Sequence, residues 1–220
     1  MKYYAMVLAC GLMLFCTGNA VAGLGIAGRA STQGFGVEVT KSMIPTVNVR
    51  GGAYFFNYDL DLTKSDVKYA FDLKLRSVSL LLDVHPFPSS GFRLSGGVMF
   101  NGNKVDLVGE SQGTYEIGNK TYTGAQIGSL IGKMTFRSAA PYAGIGWGNA
   151  TKSRVGFALD LGVAFQGAPD VNLSATGPVA ADPTFQAELQ KEEQEIKDNV
   201  DELKYYPVVS VGLSFKLGLF

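Results

Sequence analysis

Two stretches of the chain alternate large apolar and small or polar residues without a miss. From Arg154 to Gln166, the positions Val155, Phe157, Leu159, Leu161, Val163 and Phe165 are apolar, and Gly156, Ala158, Asp160, Gly162 and Ala164 lie between them. Val209, Val211, Leu213, Phe215, Leu217 and Leu219 alternate in the same way with Ser210, Gly212, Ser214, Lys216 and Gly218. A period of two is the signature of a strand with two unlike faces. A water-soluble sandwich alternates too, but its second face carries Lys, Glu and Thr. Here the second face is mainly Gly, Ala and Ser with isolated charges, which suits the inside of a narrow barrel whose large residues meet lipid.

Eight such segments can be drawn, at 23–31, 35–42, 46–58, 66–86, 92–104, 132–148, 152–176 and 206–219. The connections after the second, fourth and sixth are short. Those after the third, fifth and seventh are longer, and the first turn, near Ser31 to Gly34, is short. Short turns at one rim and long loops at the other are the pattern of outer-membrane barrels, and an even strand count leaves both ends of the barrel on the short-turn, periplasmic side. The fold class read from the pattern is therefore all-β, an eight-stranded antiparallel transmembrane barrel. Alternation slips twice. Tyr69, Phe71, Leu73 and Leu75 give way to Val78, Leu80, Leu82 and Val84, and Met134 and Phe136 give way to Ala143, Ile145 and Trp147. Bulges near Arg76 and Ser77, and between Ser138 and Ala140, would absorb both shifts.

One segment follows another period. Asp182 is a capping residue and Pro183 suits the first helical turn. Phe185, Leu189, Ile196, Val200 and Leu203 then fall at helical spacing among seven acidic residues. This predicts an amphipathic acidic helix at 182–204 in the last external loop. It would rest its stripe on the barrel rim or offer a partner-binding surface.

The N-terminus reads as a secretory signal over residues 1–22. Lys2 precedes an uncharged apolar stretch, and Ala20-Val21-Ala22 offers small residues for cleavage. The run is too short for a membrane anchor. Cys10 and Cys16 fall inside it, so the barrel domain at 23–220 has neither disulfides nor thiolate ligands. Basic and acidic residues balance at 19 each, which excludes the electropositive signature of a nucleic-acid binder. With one histidine and no cysteine left, no metal or other cofactor is expected.

The closing run from Tyr206 to Leu217, the segment from Pro141 to Trp147, the alternating strands and the Ala20-Val21-Ala22 site together resemble small Gram-negative outer-membrane barrels of the OmpA/OmpX/OmpW-like kind. The resemblance is one of pattern and covers the whole domain. It implies the bacterial outer membrane as location, outer-membrane lipids and lipopolysaccharide as surroundings, and the barrel-assembly machinery as a partner during insertion. Leu217 stands where such barrels usually place their terminal aromatic, and Phe220 has the opposite parity.

Inward-facing candidates are Glu38, Arg50, Asp83, Arg93, Arg154, Asp160 and Lys216. A hairpin centred on Ile44 sets Glu38 opposite Arg50, and Asp83 and Arg93 flank the next short turn. An unpaired charge in a narrow lumen is costly, so these groups are expected to pair. The alternative is that they line a narrow ion or solute path. His85 has no nucleophile in reach, since Ser77 and Ser79 share its strand, and so no catalytic residue is assigned. Trp147, Phe92, Phe87 and Tyr206, near strand ends, fit the aromatic belts of barrels. A structural or surface-interaction barrel is the leading reading; a narrow channel for small or hydrophobic solutes, and then a lipid-modifying enzyme, stand behind it. The identity of any external partner is left open.

Overall fold

The computed structural model describes residues 23–64, 67–87, 89–111 and 113–217. The expected signal segment at 1–22 and the tail at 218–220, with Phe220, lie outside them. Among the described residues thirteen strands form, and eight of these close a barrel: β1 (Leu24–Ser31), β2 (Gly34–Ile44), β3 (Val47–Lys64), β4 (Val67–Val84), β5 (Phe92–Asn101), β10 (Ala139–Trp147), β11 (Val155–Phe165) and β13 (Tyr205–Leu217). All neighbours are antiparallel, and closure comes from the β1–β13 and β4–β5 pairings. Outward positions carry the large apolar residues. Phe35, Phe55, Phe157, Leu213 and Trp147 are each more than half exposed, a belt that a bilayer accommodates and water does not. Aromatic rings cluster at both ends of this belt: Phe87, Phe92 and Trp147 lie at the rim of short turns, and Phe165 meets Tyr205 edge-on at the rim of loops.

Three of the strands continue past the loop rim after a break. β5 is prolonged by β6 (Lys104–Ser111), β9 (Ser129–Thr135) runs down into β10, and β11 is prolonged by β12 (Asp170–Ala175). With the upper halves of β3 and β4 they make a five-stranded wall in the order β3-β4-β6-β9-β12, standing over one side of the barrel. The continuous segments expected at 132–148 and 152–176 are therefore two strands each. The interruption at Phe136, Arg137 and Ser138 is a break in the chain's pairing and not a bulge within one strand.

The other expected bulge is absent. β3 and β4 keep one register from Val47↔Val84 to Lys64↔Val67, straight through Arg76 and Ser77. What changes there is the surroundings. Below, the outward face meets lipid and is apolar. Above, it carries Asn57, Asp59, Asp72 and Lys74, while the inward face turns apolar with Tyr58, Leu60, Phe71, Leu73 and Leu75. The side chains keep their parity; the solvents on the two faces exchange.

The connection at 105–131, expected to be a plain loop, contains β6, the hairpin β7 (Thr114–Ile117) and β8 (Lys120–Thr123), and the single turn α1 (Gly124–Ile127). The expected helix is α2 (Pro183–Asn199), followed by a 3-10 turn at Asp201–Lys204. Asp182 caps it by accepting from the backbone N–H groups of Thr184 and Phe185. Phe185 and Leu189 are buried with Ile117 and Ile127 and pack against Leu130 and Leu173. The helix thus rests on the wall and the β7–β8 hairpin, whereas its sequence alone places it on the barrel rim. Leu203, expected in the apolar stripe, is exposed.

Candidate functional site: the charged layer of the lumen

Inward positions of six strands bring Arg29 (β1), Glu38 (β2), Arg50 (β3), Asp83 (β4), Arg93 (β5) and Asp160 (β11) into one layer, all with side chains at most 4% exposed. Arg29 bonds Glu38 at 2.6 Å and Asp160 at 2.8 Å. Arg50 reaches Glu38 at 2.9 Å, Asp83 at 2.9 Å and Asp160 at 3.2 Å. Arg93 holds both oxygens of Asp160, at 2.7 and 2.8 Å, and lies 3.8 Å from Asp83. The Tyr54 hydroxyl donates to Glu38 at 2.5 Å, and the Ser95 hydroxyl to Asp83 at 2.6 Å. Three guanidiniums face three carboxylates, so the layer is neutral and each charge has more than one partner. This is the condition under which buried ions are tolerated at all.

Room for these long side chains comes from glycines on the same faces. A Cβ at Gly146 would stand 2.7 Å from the Asp160 carboxylate and 2.9 Å from Arg93 Nε, and one at Gly212 would stand 2.7 Å from Arg29 Cδ.

Above the charges, toward the loop rim, Leu81, Met99, Ala140, Tyr142, Ala164 and Val208 form an apolar layer. Next come buried amides: Gln33 donates to Ser77 Oγ, Asn101 to Gln166, and Gln166 to the Leu203 carbonyl on the 3-10 turn. Toward the turn rim, Asn48 bonds Asn149, and the turn holding Asn149 and Thr151 tucks in among Thr40, His85 and Ala27. Two cavities flank the charged layer, each with about 10 Å³ open to a water centre, room for a single molecule. His85 lines the lower one. It is buried, and its ring nitrogens make no hydrogen bond of ordinary geometry. Among the described residues no cluster of His, Asp and Glu is arranged to hold a metal.

Of the seven charges read from the sequence, Glu38, Arg50, Asp83, Arg93 and Asp160 meet in this layer. Arg154 and Lys216 do not: both are exposed, beyond the buried part of the lumen at the end of the β11–β13 pairing. They share the inward parity, but at the turn rim the barrel opens to solvent. The pairing arithmetic also shifts. Thr40, not Glu38, is opposite Arg50, because the turn lies at Pro45 and Thr46 and is not centred on Ile44, with a further one-residue slip between Ser42 and Ile44. Glu38 and Arg50 meet diagonally instead, across the reach of a guanidinium. Arg29 is a member of the layer that the sequence reading omits, although Gly25 and Ala27 mark its parity as inward. Tyr54 and Tyr142, large residues on a face of small ones, carry no signal that distinguishes them from the lipid-facing set.

No family model matches the chain, and no curated protein does. Among solved structures, CarO2 of Acinetobacter baumannii superposes with a TM-score of 0.61 at 22% identity, covering 90% of this chain and all of that one. CarO of the same organism gives 0.56 at 21% identity over 91% of this chain and all of its own. Ail, the attachment invasion locus protein of Yersinia pestis, gives 0.37 at 12% identity over 87% of this chain and 93% of that one. The two CarO structures show that this chain has the fold of a small outer-membrane β-barrel.

Proposed function

We propose that the protein is a sealed outer-membrane barrel that displays a folded platform on its loop side and works by surface contact, not by transport or catalysis. The observation that carries this reading is the neutral six-residue layer of Arg29, Glu38, Arg50, Asp83, Arg93 and Asp160, closed above by apolar and amide layers. An ion crossing it would have to replace several charge-assisted hydrogen bonds at once. The wall β3-β4-β6-β9-β12, with α2 and the β7–β8 hairpin, is far more ordered structure than closing a barrel requires. Its acidic helix spends Glu188, Glu192 and Glu193 on backbone N–H groups of Asn119, Gly118 and Leu173, which makes the platform rigid. Lipids, lipopolysaccharide and the assembly machinery are the surroundings this role implies. His85 lies at the turn rim, far from any outer-leaflet substrate, and His85→Ala leaves lipid chemistry unchanged if the barrel works by contact.

The second reading, a narrow channel, draws support from the two polar-lined cavities on either side of the charged layer. Planar-bilayer recording separates the two. The sealed barrel gives no reproducible conductance steps, while the charge-balanced double variant Arg50→Ser/Asp83→Ser, which joins the cavities, gives small ones. Reproducible steps from the unmodified protein would establish the channel and end the sealed-barrel reading.

A further inference from the structure

The wall has two edges, and they are treated differently. At the β12 edge, α2 packs alongside, and Glu193 accepts the Leu173 N–H at 2.6 Å. At the β3 edge nothing comparable happens. β2 leaves β3 at Phe35↔Phe55, and among the described residues no strand or side chain takes its place along Asn57, Asp59 and Asp61.

The direction of the unused backbone groups follows from two bonds. The Arg76 carbonyl accepts from the Gly102 N–H at 2.8 Å, and the Arg76 N–H donates to Asn103 Oδ1 at 3.0 Å, so the Arg76 backbone faces away from β3. Alternation in the unbroken β3–β4 register then makes Ser77, opposite Tyr54, face β3. Even-numbered residues of β3 are therefore bonded to β4. Odd-numbered ones, Asn57, Asp59 and Asp61, turn both N–H and C=O to the open edge.

The side chains along this edge select what can pair with it. Toward the barrel axis, Tyr58 and Leu60 present an apolar face. Outward, Asp59 lies in a cross-strand row with Asp72 and Asp106, in which Lys74 pairs with Asp72 and Lys133 stands opposite Asp106, leaving Asp59 at the open end. Like charges directly opposite one another are unfavourable, and a cation next to Asp59 on a further strand would offset them. A second copy of this edge would bring more aspartate to the row, and charge of this kind is how natural sheets discourage self-pairing.

We propose that the open edge of β3 above the loop rim is a strand-addition site for an extended segment of another protein that alternates basic and apolar residues. The basic residues would lie against Asp59 and Asp61 and the apolar ones against Tyr58 and Leu60. This rests on the surface-contact reading and names the chemistry of the partner.

The test uses the folded barrel in nanodiscs and three labelled peptides: alternating lysine and valine, alternating glutamate and valine, and lysine and valine of the same composition in two blocks. The alternating lysine peptide binds about tenfold or more tightly than the others, because strand addition needs both the main-chain ladder and the right face. Asp59→Pro removes an N–H that points only to the open edge, and so weakens binding without touching the β3–β4 ladder. Asp59→Lys/Asp61→Lys transfers the preference to the glutamate peptide. Equal binding of the three peptides, or undiminished binding by Asp59→Pro with the barrel's heat-modifiable gel shift intact, overturns the proposal. So does a protein dimer that Asp59→Pro dissociates, which would make a second copy the occupant. These outcomes leave the conductance test untouched, so failure of one reading is distinguishable from failure of the other.

Discussion

Arg93 on β5 grips both oxygens of Asp160 on β11 across the intervening strand β10, and it can do so because β10 carries glycine at position 146. This ion pair follows the inner face of three adjacent strands, whereas the pair of Arg50 on β3 with Asp160 on β11 spans the lumen. Asp160 also receives Arg29 and Arg50 and is the shared anion of the layer. Removing it leaves three guanidiniums facing two carboxylates in a closed lumen. Asp160→Ala should lower unfolding stability by about 3–5 kcal/mol, the cost of stranding a buried charge. The balanced variant Arg93→Met/Asp160→Leu should cost clearly less than the sum of its single changes. Urea unfolding in detergent, read as a double-mutant cycle, measures both.

Tyr142 lies across the glycine pair Gly144↔Gly162, and a Cβ at Gly162 would come within 2.6 Å of its Cζ. The ring fills space those glycines leave in the barrel wall. Gly162→Ala should cost about 1–3 kcal/mol by overpacking, and Gly162→Ala/Tyr142→Leu should recover most of that. Equal melting of the parent and Gly162→Ala would show that the ring is free to move aside.

Which parts of this arrangement are legible in the sequence follows from what parity can and cannot encode. β11 and β13 are legible because each has one face in lipid and one in a narrow lumen along its whole length, so Val155 to Phe165 never breaks step. β4 misleads at Arg76 because parity in sequence reports the polarity of the two faces, not their direction. When the strand leaves the membrane, the faces exchange solvents, and the pattern of residues mimics a bulge. The charged layer is legible for Glu38, Arg50, Asp83, Arg93 and Asp160, since a charge on a face of small inward residues must find a countercharge inside the lumen. Arg154 and Lys216 satisfy the same rule and fail it by height, which parity does not carry. The placement of α2 depends on Leu173 and Ile117, residues from other elements, and no local period contains that.

The exchange of faces at Arg76 has a direct consequence. Leu213, outward in the lipid belt and 55% exposed, should tolerate lysine badly, with Leu213→Lys costing about 2–4 kcal/mol if it lies near mid-bilayer. Lys133, outward but on the wall above the belt, should accept leucine within about 0.5 kcal/mol. Reversible unfolding in lipid vesicles compares the two. Similar costs at both sites would place the wall inside the bilayer and contradict the exchange.

The platform should respond to acid through two carboxylates, Glu188 and Asp182. Glu188 on α2 accepts the Asn119 backbone N–H at 3.0 Å and Lys191 Nζ at 2.9 Å, while Glu192 accepts the Gly118 N–H at 3.1 Å, where Gly118 makes the tight β7–β8 turn at φ +57°. The backbone bond from Asn119, followed by Lys191, holds the Glu188 carboxyl below its ordinary value of 4.5. A depressed carboxylate contributes stability that is fully present above the unfolded value. That contribution fades as pH falls through the lower folded value. At neutral pH the hairpin is therefore pinned to α2, and the attachment should weaken only below about pH 4.5, the ordinary carboxyl range. Asp182 is depressed in the same direction by the N–H groups of Phe185 and Thr184 that it caps, so the first turn of α2 should loosen over the same acid range. The amide proton of Asn119, followed by NMR in nanodiscs, should titrate with a midpoint below 4.5, and Glu188→Gln should abolish that titration while keeping the hairpin in place at neutral pH. A midpoint above 4.5, or an Asn119 amide indifferent to Glu188→Gln, would mean that this carboxylate does not hold the hairpin.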